Sequence, residues 1–460
     1  MWEELEATDW ATLKDNCGSA EDVPALLRQC AGQNLQDVDH AAFELLNHLF
    51  HQGGWICSAS SAALPFLVRL AASPDVLLSS RRAVLELVSR LVSEAGRVAE
   101  RFLDPGWRPA WERAVPKVLL LLTDPAAEIR RDAAHILGAC ETRGEAVLSA
   151  LVQCWRSEAD PATRLDLILA LGLAAGREPA GPQAAEVLEL LRDLLDTPDV
   201  QIRLAAVHAL APTDPNLPAR RADLLLQAVR DPSVELWRHT SSVSTDVTGV
   251  HHWTAKLFTE PFPAFALGLL QDHSDVDQRV GALAQAGGLL AQWRSASTEL
   301  LPALAARLDD PAPEVRFRAA ELLACLGPAA TVHADEVAIL LGDSGARTTR
   351  KRETVAEAAL WALARMNDLR CIPALIEAAA APRSGLASGC KTVVSSPRLR
   401  SLPARSLPLS TAAPPPCAAG RRARRPRGRV GCPGTAPDGA GPACPLGTRL
   451  GAVMLPVRSR

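Results

Sequence analysis

Apolar positions along this chain recur at helical rather than strand spacing, and the recurrence itself repeats. In residues 313–327, Val315, Ala319, Leu322, Leu323 and Leu326 fall at i, i+4, i+7, i+8 and i+11, which is one face of an α-helix. Just upstream, Leu301, Leu304 and Leu308 line one face of a preceding helix. Between them, "DDPAP" carries prolines that suit a turn and a helix start but not a helix interior. Glu314 lies in the first turn, where negative charge suits the helix dipole, and Gly327-Pro328 ends the segment. This pattern predicts a helical hairpin.

The hairpin pattern returns along the chain. "LLTDPAAEIRRDAAHILGA" (121–139), "LLDTPDVQIRLAAVHALA" (194–211) and "RLDDPAPEVRFRAAELLACLG" (307–327) share an apolar end, an Asp, a Pro, an apolar–Arg pair and an Ala-rich helix. Weaker copies start near 155, 228, 269 and 340. The turn aspartates are Asp124, Asp160, Asp196, Asp231, Asp272, Asp310 and Asp343, spaced by 36, 36, 35, 41, 38 and 33 residues. An arginine follows six or seven later in six of the seven copies: Arg130, Arg203, Arg238, Arg279, Arg316 and Arg350. The copy at Asp160 departs, with Arg164 only four away and Asp166 in the arginine's place. Two such helices cannot enclose a core alone, so neighbours must stack.

The D-P-x-x-E-[VI]-R pattern resembles the HEAT repeat of armadillo-like solenoids, above all the short bacterial type also found in phycobilisome-lyase-like proteins. It covers residues 110–380 well and 37–110 loosely. The resemblance implies an all-α, right-handed α-solenoid of eight or nine hairpins over residues 1–381. It also implies that turn aspartates and helix arginines of neighbouring units form a hydrogen-bonded ladder, a structural role for the pairs Asp124/Arg130, Asp196/Arg203, Asp231/Arg238, Asp272/Arg279, Asp310/Arg316 and Asp343/Arg350.

Composition agrees with an all-helical chain. It has no tyrosine and eight phenylalanines, so alanine and leucine carry the burial. Residues 1–381 hold 35 basic and 51 acidic side chains, a balance of 35 − 51 = −16. An acidic body lacks the positive field a nucleic-acid groove needs. Residues 382–460 reverse this, with 14 basic side chains against one acidic, a balance of 14 − 1 = +13. Their 13 prolines, 10 glycines and 13 arginines cannot bury a core, and the segment reads as a disordered tail or as out-of-frame translation of GC-rich DNA. Nucleic-acid binding through that tail is one alternative function. No long apolar run or signal pattern is evident, and the cysteines have no short paired spacing, so a cytoplasmic protein away from membranes is expected.

Two interruptions of the repeat supply candidate binding residues. The longest copy contains "HTSSVSTDVTGVHHWTAKLFTEPFPAF", expected as a non-helical surface loop bearing His239, Asp246, His251, His252 and Trp253. The other is "HLFHQGGWICSAS", where His48, His51 and Trp55 flank Gly53-Gly54. This reads as the corner of one solenoid unit whose helices are 37–52 and 58–72. HEAT-like di-iron hydroxylases use His-Glu pairs, and the chain has none. No metal, cofactor or catalytic residue is therefore expected. The function predicted is a non-enzymatic scaffold or adaptor for a protein or peptide on the concave face. A HEAT-type enzyme or assembly factor with a histidine site is the alternative, and the oligomeric state is open.

Overall fold

The computed structural model describes residues 2–141, 145–177, 181–347 and 353–380. Every described residue belongs to one compact unit. The expected tail at 382–460 and Arg350 lie outside the described residues.

Among the described residues, nine helical hairpins follow α1 (Trp2–Glu6). They pair α2 (Val23–Cys30) with α3 (Leu35–Leu49), α4 (Ser58–Ala72) with α5 (Leu78–Ala95), and α6 (Trp107–Leu120) with α7 (Ala127–Ala139). Next come α8 (Glu145–Ser157) with α9 (Pro161–Gly176) and α10 (Pro182–Asp193) with α11 (Val200–Leu210). The short α12 (Leu217–Arg220) leads into α13 (Ala222–Arg230), which pairs with α14 (Val247–Ala255). The last three are α15 (Pro263–Leu269) with α16 (Val276–Gln292), α17 (Ser297–Ala305) with α18 (Pro313–Leu326), and α19 (Ala334–Ile339) with α20 (Val355–Met366). Helix α21 (Ile372–Ala380) begins a tenth unit. Among the described residues there are no strands, only isolated bridges. The chain is an all-α solenoid.

Helix starts follow the sequence. Asn34, Asp160, Asp199, Asp246, Asp275 and Thr354 each cap a helix by accepting a backbone N–H, and Thr354 with Glu357 forms a capping box. The second helix of each hairpin packs on the second helices before and after it, most closely from α5 to α11 and from α14 to α20. Glycine sets how close they come. A Cβ on Gly138 would lie 2.7 Å from Ala170 Cα, and one on Gly172 would lie 2.5 Å from Ala209 Cβ. The apolar stretch Pro313–Gly342, long enough by composition to cross a membrane, is broken at Gly327 (φ 59°), and its helices α18 and α19 pack on α20.

One expectation changes here. Helix α3 packs on α2, while α4 packs on α5. The Gly53-Gly54 corner therefore joins two hairpins instead of lying within one. His51, Gly53 and Gly54 turn the chain there with φ of 50°, 77° and 97°.

The ladder exists in part and in a shifted register. Arg316 Nη1 donates to the carbonyls of Asp310 (2.7 Å) and Pro311 (3.0 Å) in its own turn, while Nε reaches Asp343 Oδ2 of the next unit at 2.7 Å. Arg279 does the same with His273 O (2.7 Å), Ser274 O (3.0 Å) and the Asp310 carboxylate (2.8 and 3.1 Å). Arg130 holds Asp124 O at 2.9 Å and Pro125 O at 3.1 Å, and reaches Glu158 at 2.7 Å through two nitrogens. Arg81 pairs with Asp124 to give a fourth rung.

In the first three rungs the turn carbonyl lies six residues before the arginine, whereas Arg81 donates to Ala71 O, ten residues before it, at 2.7 Å. Glu158, not Asp160, is thus the turn acid of its copy, and Arg164 sits in register: it approaches Glu158 O at 3.4 Å and covers the Trp155 ring at 4.2 Å. Copies with a spacing of seven have their aspartate one residue out of place. The Asp196 and Asp272 side chains are 80% and 91% exposed and meet Arg221 and Arg307 instead. Arg203 donates to Gln227 at 3.1 Å, Arg238 pairs with Glu235 in its own turn, and Asp231 caps Ser233. These five residues stand outside the ladder.

Two predictions follow from this packing. Asp310→Ala strands the buried Arg279 guanidinium and should lower the unfolding free energy by about 3 kcal/mol in urea titration, while Asp272→Ala stays within about 0.5 kcal/mol. Gly172→Val forces α9 from α11 and should cost about 2 kcal/mol, whereas Gly176→Ala, which meets ordinary van der Waals space at 3.8 Å, should be neutral.

Candidate functional site

The long sixth hairpin is more helical than its sequence suggests. Irregular backbone is confined to residues 240–246 and 256–262, with α14 between them and α15 after. A run of 3-10 turns, Pro232–His239, leads into the first irregular segment.

That segment folds back onto earlier hairpins through two carboxylates. Asp132 and Asp166 are each the sixth residue of their helix, α7 and α9. Asp166 accepts the backbone N–H groups of Ser241 (2.7 Å) and Ser242 (2.9 Å) and the Ser242 hydroxyl, while Ser241 Oγ meets Asp132 Oδ1 at 2.5 Å. Arg82 reaches Asp132 from the other side at 3.3 Å. Burial pushes the Asp166 carboxyl up to about 6, against the hydrogen bonds from the loop and the charge of Arg131. Burial also raises Asp132.

Beside this clamp lies a cavity of about 450 Å³. Its wall comes from α7 (His135), α9 (Asp166, Leu169, Leu173), α11 (His208) and the end of the sixth hairpin (Trp253, Lys256). The His208 and Trp253 rings are stacked, with centroids 3.2 Å apart and an interplanar angle of 6°. Trp237 packs on Trp253 at 5.0 Å and donates its N–H to Gln201 Oε1 at 2.7 Å. Burial lowers the pKa of both His135 and His208, so both imidazoles are neutral near pH 7. The cleft thus offers apolar and aromatic surface, neutral imidazole nitrogens and a lysine at its edge. Both Asp166 oxygens are occupied by loop donors, so this carboxyl acts as a clamp.

Of the residues singled out in sequence, only Trp253 lines this cavity. His239 and His252 are exposed, and Asp246 caps α14 by accepting Gly249 N–H at 2.9 Å. His251 is buried; its Nε2–H donates to Gln278 Oε1 at 2.9 Å, and burial drives its pKa down to about 4. His251 and His252 stand on a helix, not on irregular backbone, and point to different surroundings. Asp132, His135 and His208 were missed, and Asp166 stood out only as a departure from the repeat. The available signal was a carboxylate at the same step of two successive apolar helices, "RRDAAHIL" and "RLDLILAL".

The N-terminal group is a separate cluster. His48 Nδ1 lies 2.5 Å from Asp15 Oδ2. Asn16 donates to the His48 carbonyl through its backbone N–H (2.8 Å) and Nδ2 (3.0 Å), and the Trp55 N–H donates to Asn16 Oδ1 at 2.5 Å. His51 is exposed at the corner, and Gly54 N–H is held by Glu94 Oε1 at 2.6 Å. Cys57 is buried across the corner beside Ser60 Oγ, at 2.8 Å. Cys17, Asp15 and His48 have ligating atoms within 4.8 Å of one another.

No family model and no curated protein matches the chain. Its fold is similar to several solved structures. An engineered protein shares 17% identity over 83% of this chain and 99% of its own, with a TM-score of 0.31. Kap95p, solved with RanGDP, shares 12% over 78% of this chain and 58% of its own, at 0.34. A Kap121p mutant shares 12% over 86% of this chain and 42% of its own, at 0.41. The chain spans about half the length of these two. None of these likenesses assigns a function.

Asp166→Ala should remove amide protection at Ser241 and Ser242 in hydrogen exchange while α7 and α9 stay protected. Unchanged protection at Ser241 and Ser242 in this variant would contradict the clamp.

Proposed function

We propose that the chain is a non-enzymatic scaffold or adaptor that holds a protein or peptide partner along the concave face formed by its second helices. The cavity between α7, α9, α11 and Trp253 is the anchor point of that surface, taking an apolar side chain of the partner. The observation that carries this reading is the cavity's construction: four successive hairpins contribute to one cleft, and a loop tied down by two carboxylates borders it. Recognition along extended area suits a stack of repeats, and the −16 balance of residues 1–381 favours a basic flank on the partner. An enzyme or assembly factor would need convergent acid–base groups free to act, and the carboxyl in this cleft is engaged by the loop. A cytoplasmic setting and kinship with the short bacterial, lyase-like repeats belong to the same proposal.

Peptide display against the full chain tests it. Selected peptides should share an apolar or aromatic residue and lose at least tenfold in affinity for Leu173→Arg at the cavity rim. The control Leu120→Arg, exposed at the end of α6, should bind as the unaltered chain does. Equal loss in both variants, or no enriched peptide, would sink the reading.

A further inference from the structure

We infer that Asp15, Cys17 and His48 form a binding site for a transition-metal ion of the zinc class, contrary to the expectation from sequence. Three observations carry this. First, an imidazole nitrogen, a thiol sulfur and a carboxylate oxygen converge from segments more than thirty residues apart, all within 4.8 Å of one another. Tetrahedral zinc with bonds of roughly 2.0–2.3 Å places its ligands about 3.6 Å apart, so small side-chain rotations close the site.

Second, the donors are fixed by other bonds. Asp15 Oδ1 accepts the N–H groups of Cys17 and Gly18, both at 2.7 Å, so one turn sets carboxylate and thiol together. The Lys14–Ser19 bridge closes that turn, and Gly18 (φ 130°) permits it. Asn16 then ties the turn to the His48 carbonyl, and Trp55 holds Asn16. These contacts are the outer shell that orients ligands at metal sites.

Third, a simple Asp–His pair explains only two of the three groups. The Asp15 carboxylate is wholly buried, its His48 partner is 14% exposed, and Cys17 opens to solvent beside them. A carboxylate, a thiol and an imidazole together are the donor types that zinc takes. Thiol and imidazole donors select zinc-like ions over calcium or magnesium.

Cobalt(II) titration of the reduced full chain is the test. The expected spectrum has visible d–d bands of a low-symmetry site and a near-ultraviolet sulfur-to-cobalt charge-transfer band, both displaced by zinc(II). Cys17→Ser, at an exposed position, should keep the helical circular dichroism, lose the charge-transfer band and bind zinc at least tenfold more weakly. His48→Gln should weaken binding likewise, and zinc should raise the melting temperature of the unaltered chain but not of Cys17→Ser. A charge-transfer band that persists in Cys17→Ser would assign the metal to other cysteines, and that result, or no cobalt spectrum at all, overturns the proposal.

Discussion

A guanidinium that grips the carbonyls of its own turn and the carboxylate of the next unit is the interaction on which the stack depends. Burying such a charge is unfavourable unless every donor finds a partner in good geometry. Arginine meets that condition because its planar fork divides its donors between two directions. Arg279 and Arg316 use this fully, at distances of 2.7 to 3.1 Å on both sides. Each rung therefore fixes the rotation and height of one hairpin on the next, something apolar contact alone leaves loose. The ladder is a register device as much as a source of stability.

The register device lapses in the middle of the chain, and the cavity lies where it lapses. Arg164 stacks on Trp155, Arg203 turns to Gln227, and Arg238 folds onto Glu235. Other contacts hold this region. Gly138 and Gly172 bring α7, α9 and α11 to near contact, and Gln201 bridges Trp237 to the Ala228 carbonyl at 3.0 Å. The sixth hairpin is freed from matching its neighbours turn for turn. It spends its extra residues on the 240–246 segment, which makes a cleft between α9, α11 and α14 possible.

The architecture was legible in sequence because burial by alanine and leucine at helical spacing leaves few other folds, and because the turn recurs. The ladder's register was harder. An aspartate near a proline marks a turn, but a shift of one residue decides whether its carboxylate faces the neighbouring arginine or solvent. Glu158 and Asp160 illustrate this: the glutamate takes Arg130, and the aspartate caps α9 through Thr163. The cleft was illegible for a different reason. Histidines attracted notice where they clustered in polar sequence, at 251–252, whereas His135 and His208 sit singly inside apolar helices. Asp15 and Cys17 escaped because their link to His48 is made by a turn 31 to 33 residues away, with no spacing rule.

Stacked repeats ordinarily touch only adjacent units, so their stability is a sum of neighbour terms. The bond between Ser241 and Asp132 breaks that rule, joining residues 109 positions apart and linking the sixth hairpin to the third. With the Ser241 and Ser242 bonds to Asp166, it ties the sixth hairpin to both the third and the fourth. For the partner surface proposed above such ties matter, because a section held by them has less conformational freedom to lose on binding. The polar segment, first noticed for its histidines, owes its importance to two serines. Its work is to stiffen the helices that present the cleft.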